Sequence, residues 1–77
     1  MRFFYQTTSP SRPSDLVLQR RIVDRWKDAE HDNPNALMDA IGAWGKEHDL
    51  GLSLTAHNGV INIHGPHGLL ARVRTNS

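Results

Sequence analysis

Apolar residues recur along this chain with two different periods, and the change of period divides it into a helical part followed by an extended part. From about Asp15 to Glu30, at ~100° per residue, Leu16, Leu18, Ile22, Val23, Trp26 and Ala29 fall within about half the circumference. Arg20, Arg21, Asp24, Lys27 and Asp28 occupy the other half, with Arg25 at the border. Ser14 is the expected N-cap, followed by an acid, Asp15, in the first turn. A second helix is predicted from Asn33 as N-cap with Pro34 at the first helical position, running to Glu47 or His48. Leu37, Ala40, Ile41 and Trp44 form its apolar stripe. Gly42 and Gly45 weaken it in isolation, so it should depend on packing, with the glycines giving helix 1 close approach. The break between the helices is short, which predicts an antiparallel helical hairpin.

The period of two begins near Leu50. Asn58-Gly59 predicts a two-residue hairpin turn, because both central positions of a type I′ turn need positive φ. That turn pairs His57 with Val60, Ala56 with Ile61, Thr55 with Asn62 and Leu54 with Ile63, and it gathers Leu52, Leu54, Ala56, Ile61 and Ile63 on one face. A three-residue loop of Pro66, His67 and Gly68 then pairs Gly65 with Leu69 and Ile63 with Ala71, adding Leu69, Ala71 and Val73 to that face. Loops of two or four residues would turn Arg72 toward the core. The opposite face then carries Ser53, Thr55, His57, Val60, Asn62, His64, Leu70, Arg72 and Arg74. Thr75, Asn76 and Ser77 should fray.

At the other end, Arg2 to Thr8 is aromatic and Thr-rich, suiting a strand, and Ser9 to Ser14 breaks regular structure with two prolines. Alternation puts Phe3 and Tyr5 on one face and Phe4 on the other, so this strand either joins an edge of the meander or pairs with another subunit. The expected fold is therefore α+β, in the order β-α-α-β-β-β, with a helical hairpin on one face of a three- to four-stranded antiparallel meander. Its core should comprise Leu16, Leu18, Ile22, Val23, Trp26, Leu37, Ile41, Trp44, Leu52, Leu54, Ile61, Ile63, Leu69, Ala71 and Val73.

The length, 77 residues, fits one domain. A chain this short buries only about 60% of its unfolded surface, which favours a partner or self-association. With no cysteine, disulfides and thiolate metal sites are excluded. No run approaches the ~20 apolar residues of a membrane span, and the N-terminus lacks an apolar leader segment, so a cytoplasmic protein is expected. The formal charge of +1 selects no partner.

Chemical motifs are equally sparse. Five histidines include an H-x-x-H at His64 and His67. The hairpin, however, sets His57 and His64 at opposite ends, too far apart to share a zinc with ~2 Å bonds. No metal or cofactor site is expected. No G-x-S-x-G elbow is present, and Asp24 and Asp28 sit beside Arg20 and Arg21 on an exposed helix face, so no catalytic residues are assigned and no enzymatic activity is expected. Trp26 and Trp44 lie inside apolar arcs and read as core rather than as stacking platforms. Helix 2 offers only Lys46 to a DNA groove, against Asp39 and Glu47, which opposes a helix-turn-helix reading.

The expected function is a non-catalytic protein-binding module, of the general makeup of small phage- or plasmid-type inhibitors of larger host or defence proteins. The expected partner surface is His57, Asn62, His64, Leu70, Arg72 and Arg74 on the outer sheet face, with Phe4 on the N-terminal strand, which is also the expected route to a homodimer. The alternative is nucleic-acid binding through phosphate contacts from Arg20, Arg21, Arg25, Arg72 and Arg74.

Overall fold

The computed structural model describes residues 1–75. The elements are β1 (Phe3–Thr7), α1 (Pro13–Trp26), α2 (Pro34–Glu47), β2 (Ser53–His57), β3 (Val60–Gly65) and β4 (Gly68–Thr75). The four strands form one antiparallel sheet in the order β1-β4-β3-β2. Both helices cover one of its faces. The N-terminal strand joins the sheet beside β4, so Thr75, expected to fray, pairs with Phe3. Asn76 and Ser77, also expected to fray, lie outside the described residues.

The β2–β3 register is the one that the Asn58-Gly59 turn predicts, from His57 opposite Val60 to Leu54 opposite Ile63. Asn58 and Gly59 hold φ of 52° and 78°, the left-handed pair that this turn requires. The second hairpin differs from expectation. Its loop contains two residues, Pro66 and His67, because Gly65 pairs with Gly68 and His64 with Leu69, yet Ile63 still pairs with Ala71. The difference is absorbed by a β-bulge at Leu70. A bulge restores the parity that a two-residue loop would have broken, so Arg72 stays outside as expected. Locally it exchanges two leucines. Leu70, expected on the outer face, is 1% exposed and faces the helices, while Leu69 takes the outer position opposite His64.

Two backbone-close contacts explain where Leu70 goes. A Cβ on Gly65 would stand 2.8 Å from Leu70 Cδ1, so the absence of a side chain at residue 65 makes room for Leu70. The Leu70 carbonyl in turn accepts from Thr8 N at 3.2 Å and from Gln19 Nε2 at 2.8 Å. The second Gln19 proton goes to Thr8 O at 2.8 Å, and Thr8 Oγ1 donates to Leu69 O at 2.7 Å. One helical amide thus ties α1 to the end of β1 and to the bulge of β4.

That contact also sets the rotation of α1. Its buried stripe is Asp15, Gln19, Ile22 and Trp26, not the wholly apolar arc that periodicity suggests. Leu16, expected in the core, is 37% exposed as a result, and Val23 is half-buried. The helix starts earlier than expected, with Arg12 as N-cap and Pro13 in the first turn, since the fixed φ of proline suits that position. It also stops earlier, at Trp26. Beyond it Ala29 N donates to Trp26 O in a tighter turn, and His31 N donates to Met1 O, drawing the chain toward the start of β1.

Helix α2 matches its expected limits. Asn33 Oδ1 accepts from Ala36 N at 2.8 Å. At the other end Asp49, with φ 53°, donates to Lys46 O, and Leu50 N donates to Gly45 O, which is the paired closure of a Schellman motif. Gly42 and Gly45 face the sheet rather than α1: their nearest neighbours are Leu54 and Leu52 respectively. The helices meet instead through Trp26 and Trp44, whose rings are 5.9 Å apart and nearly perpendicular, a favoured edge-to-face arrangement. Ile22, Leu37, Ile41, Ile61, Ile63, Leu70 and Val73 are the largest fully buried side chains, joined by Phe3, Trp26 and Ala71. Leu18, Trp44, Leu52 and Leu54 pack partly buried around them.

The Gln19 contact predicts an unequal pair of substitutions. Gln19→Leu loses both bonds to buried carbonyls and should lower unfolding free energy by about 1–3 kcal/mol. Gln19→Glu replaces the donor with an acceptor facing two carbonyl oxygens and should cost more; urea denaturation of both variants measures the order. Tyr5 supplies a second prediction. Burial pushes its phenol from 10.0 up to about 12, and its hydroxyl has no hydrogen-bond partner among the described residues. The folded state keeps this proton where the unfolded state releases it, so stability should fall as pH rises from 10.0 toward about 12. Urea midpoints across that range should drop for the parent chain and drop less for Tyr5→Phe, which should be at least as stable at neutral pH.

Candidate protein-binding face

Because β4 is paired on both sides, the bare face of the sheet is a grid of cross-strand rows. Phe4, Arg74, Val60 and His57 form the first row, and Gln6, Arg72, Asn62 and Thr55 the second. Leu69, His64 and Ser53 form the third. No helix of the described residues lies over this face. Alternation along β1 accounts for its most apolar member: Phe3 turns inward and is 5% exposed, whereas Phe4 turns outward and is 56% exposed. Phe4 sits directly opposite Arg74, whose Nη2 donates to Gln6 Oε1 at 3.2 Å. That bond spans the two rows diagonally, within the reach of cross-strand neighbours.

Of the residues expected to contact a partner, the structure gathers His57, Asn62, His64, Arg72, Arg74 and Phe4 on this face. Leu70 is the correction, for the bulge sends it into the core, and Leu69 stands in its place. Sequence pattern alone does not show the exchange, since both neighbours are leucine. The arginines expected to act together do not share a surface. Arg72 and Arg74 lie on the bare face, while Arg20, Arg21 and Arg25 lie on α1, beyond the other face. Two of these cover tryptophans: Arg25 Cζ is 4.2 Å from the Trp26 ring centroid and Arg21 Cζ is 5.8 Å from that of Trp44.

The histidines are dispersed. His57 is level with Val60 and His64 with Ser53, which places them roughly 13 Å apart along the hairpin. Among the described residues no group of three or more His, Cys, Asp or Glu side chains comes together to hold a metal ion. His67 has instead a partner that no local motif announces. Its Nδ1 is 3.1 Å from Asp15 Oδ1, and both residues line a polar cavity of about 230 Å³ together with Ser9, Ser11 and Arg12 among others. The Asp15 side chain is 8% exposed and the His67 side chain 42%. This pair pins the β3–β4 loop to the first turn of α1. The contact also fixes the orientation of the imidazole.

Comparison with known proteins finds no family model, no curated protein and no solved structure that matches this chain. Among the described residues no helix is long and apolar enough to cross a membrane.

The tie between Asp15 and His67 is checked by a double-mutant cycle. His67→Ala leaves a buried carboxylate without its partner and should cost about 1–3 kcal/mol. Combining it with Asp15→Ala should cost less than the sum of the single changes, measured by chemical denaturation.

Proposed function

We propose that this chain is a non-catalytic protein-binding module that acts through the bare face of its sheet, as an inhibitor or regulator occupying the surface of a larger protein. The observation that carries this reading is Phe4, a large aromatic more than half exposed, in register with Arg74 on a face that no helix of the described residues covers. Aromatic and arginine side chains supply a disproportionate share of binding free energy at protein interfaces. Val60 adds apolar surface in the same row, and Leu69 adds more two rows away. Asn62, His64 and Gln6 provide a polar surround, with Gln6 Oε1 already engaged by Arg74.

The nucleic-acid alternative has fewer supports. Phosphate contact scales with the number of cations that one strand can reach, and the five arginines divide between two layers of the protein. The sheet face alone offers Arg72 and Arg74.

Both readings meet in one set of measurements. Immobilised protein should capture a specific partner from cell lysate. Phe4→Ala should weaken that capture by about 2 kcal/mol, in the range of interface anchor residues, and reversing Arg72 and Arg74 to Glu should abolish it. Reversing Arg20 and Arg21 should leave it intact. Fluorescence anisotropy with generic DNA or RNA at low salt should show no binding; a signal that collapses as salt is raised would overturn the protein-binding reading in favour of phosphates.

A further inference from the structure

The sheet has two open edges, and they are not alike. On β1 the residues facing the helices begin with a fully covered Phe3, followed by a half-covered Tyr5 and an exposed Thr7. On β2 no residue facing the helices is fully covered. Leu54 is half-buried and Ala56 exposed, although their partners across the ladder, Ile63 and Ile61, are fully buried. The edge of β2 also lacks the features that normally guard one, namely proline, lysine or a bulge. The type I′ turn makes His57 and Val60 a hydrogen-bonded pair. Ser53, Thr55 and His57 therefore direct their backbone groups to β3, and Leu54 and Ala56 direct theirs outward.

Helix α2 runs along this edge. Gly42 lies over Leu54 and Gly45 over Leu52, so α2 is antiparallel to β2. Its outer flank, Met38, Asp39, Ala43 and Lys46, borders with Leu54 an open groove of about 460 Å³. Asp39 and Lys46 are two helical turns apart, roughly 10 Å along the axis, and Gly42 stands about midway between them.

We infer that β2 is a self-pairing edge: two copies of this chain join through antiparallel β2 strands about a two-fold axis at Leu54, with their α2 helices side by side. Among the registers that the outward groups allow, the one centred under Gly42 pairs Leu54 with the partner's Leu54 and Leu52 with the partner's Ala56. An antiparallel edge is self-complementary by symmetry. The helices fit the same operation. Helix α2 contacts both β2 and β3, so its axis lies about half a strand spacing inside the edge. One more strand spacing of ~4.8 Å then sets the two α2 axes about 10 Å apart, within reach of direct helix packing. An axis through Leu54 passes near Gly42, where the absence of a side chain permits that approach. It brings Asp39 opposite the partner's Lys46, and Lys46 opposite the partner's Asp39. The half-covered Leu54 and exposed Ala56 become interior. The bare face of the sheet stays open, so this pairing stands independently of the reading given above for that face.

Sedimentation velocity from low micromolar to sub-millimolar concentration tests the inference, and a monomer–dimer equilibrium is the expected result. Ala56→Pro removes an outward N–H while leaving the β3 ladder intact, and should give a folded monomer by circular dichroism. Lys46→Glu sets like charges against each other twice per dimer and should raise the dissociation constant about tenfold. Adding Asp39→Lys to it recreates both ion pairs in reverse and should restore the parent value, a rescue that general damage to α2 would not give. A chain monomeric throughout the range, a dimer as tight in Lys46→Glu as in the parent, or a folded Ala56→Pro variant that still dimerises would each overturn it.

Discussion

The arrangement depends on a single backbone irregularity being satisfied. The bulge at Leu70 lets β4 keep one face on the core while the Pro66-His67 loop closes in two residues. Its Leu70 carbonyl points toward the end of β1, one step past the Thr7–Ala71 pair, and a buried carbonyl left unpaired costs about as much as a lost hydrogen bond. Gln19 removes that cost from α1, and Thr8 from the end of β1. A side chain buried for this purpose fixes how α1 is rotated, which in turn decides that Trp26 meets Trp44 and that Leu16 faces outward. The neighbouring Asp15–His67 contact works in the same direction, tying the same loop to the same helix. A polar seam, rather than a purely apolar one, therefore orients the first helix over the sheet.

Most of the sheet was legible in the sequence because its evidence came from two sources that agree. Turn chemistry at Asn58-Gly59 and alternation from Leu52 to Ile63 each determine the β2–β3 pairing. The capping pair Asn33-Pro34 did the same for α2. The second hairpin was only half legible, since loop length and bulge compensate each other: a three-residue loop without a bulge and a two-residue loop with one leave Arg72 on the same side. Only Leu69 and Leu70 distinguish them, and identical side chains carry no pattern. The rotation of α1 was hidden for a related reason. Its inward positions include Asp15 and Gln19, whose partners lie at residues 67, 8 and 70, and no local rule assigns polar residues to a core.

The candidate site shows the same division. Which hairpin residues share the bare face follows from parity, so the sequence pattern groups His57, Asn62, His64, Arg72 and Arg74, whereas it assigns Phe4 only to the N-terminal strand. The pairings that β1 makes across that face could not be read from that pattern. Phe4 stands beside Arg74 only because β1 docks on β4, and nothing in Phe3–Thr7 distinguishes that edge from the edge of β2. The separation of the two arginine groups was likewise a question of layers. Periodicity places Arg20 outside its helix and Arg72 outside its sheet, and only the packing of one on the other turns these into opposite sides of the protein.

The docking of β1 on β4 has a consequence for the order in which the chain assembles. The two hairpins and α2 are built from contacts close in sequence, whereas β1 must await a strand at the far end of the chain, across a loop that encloses every other element. Closing so long a loop is entropically slow, so β1 is the natural candidate to dock last and, when the protein breathes, to leave first. The strand that presents Phe4 is thus also the one least secured by its neighbours in sequence. A molecule that grips Phe4 would bind most firmly to the fully closed sheet, and in doing so would hold shut the fold's weakest seam.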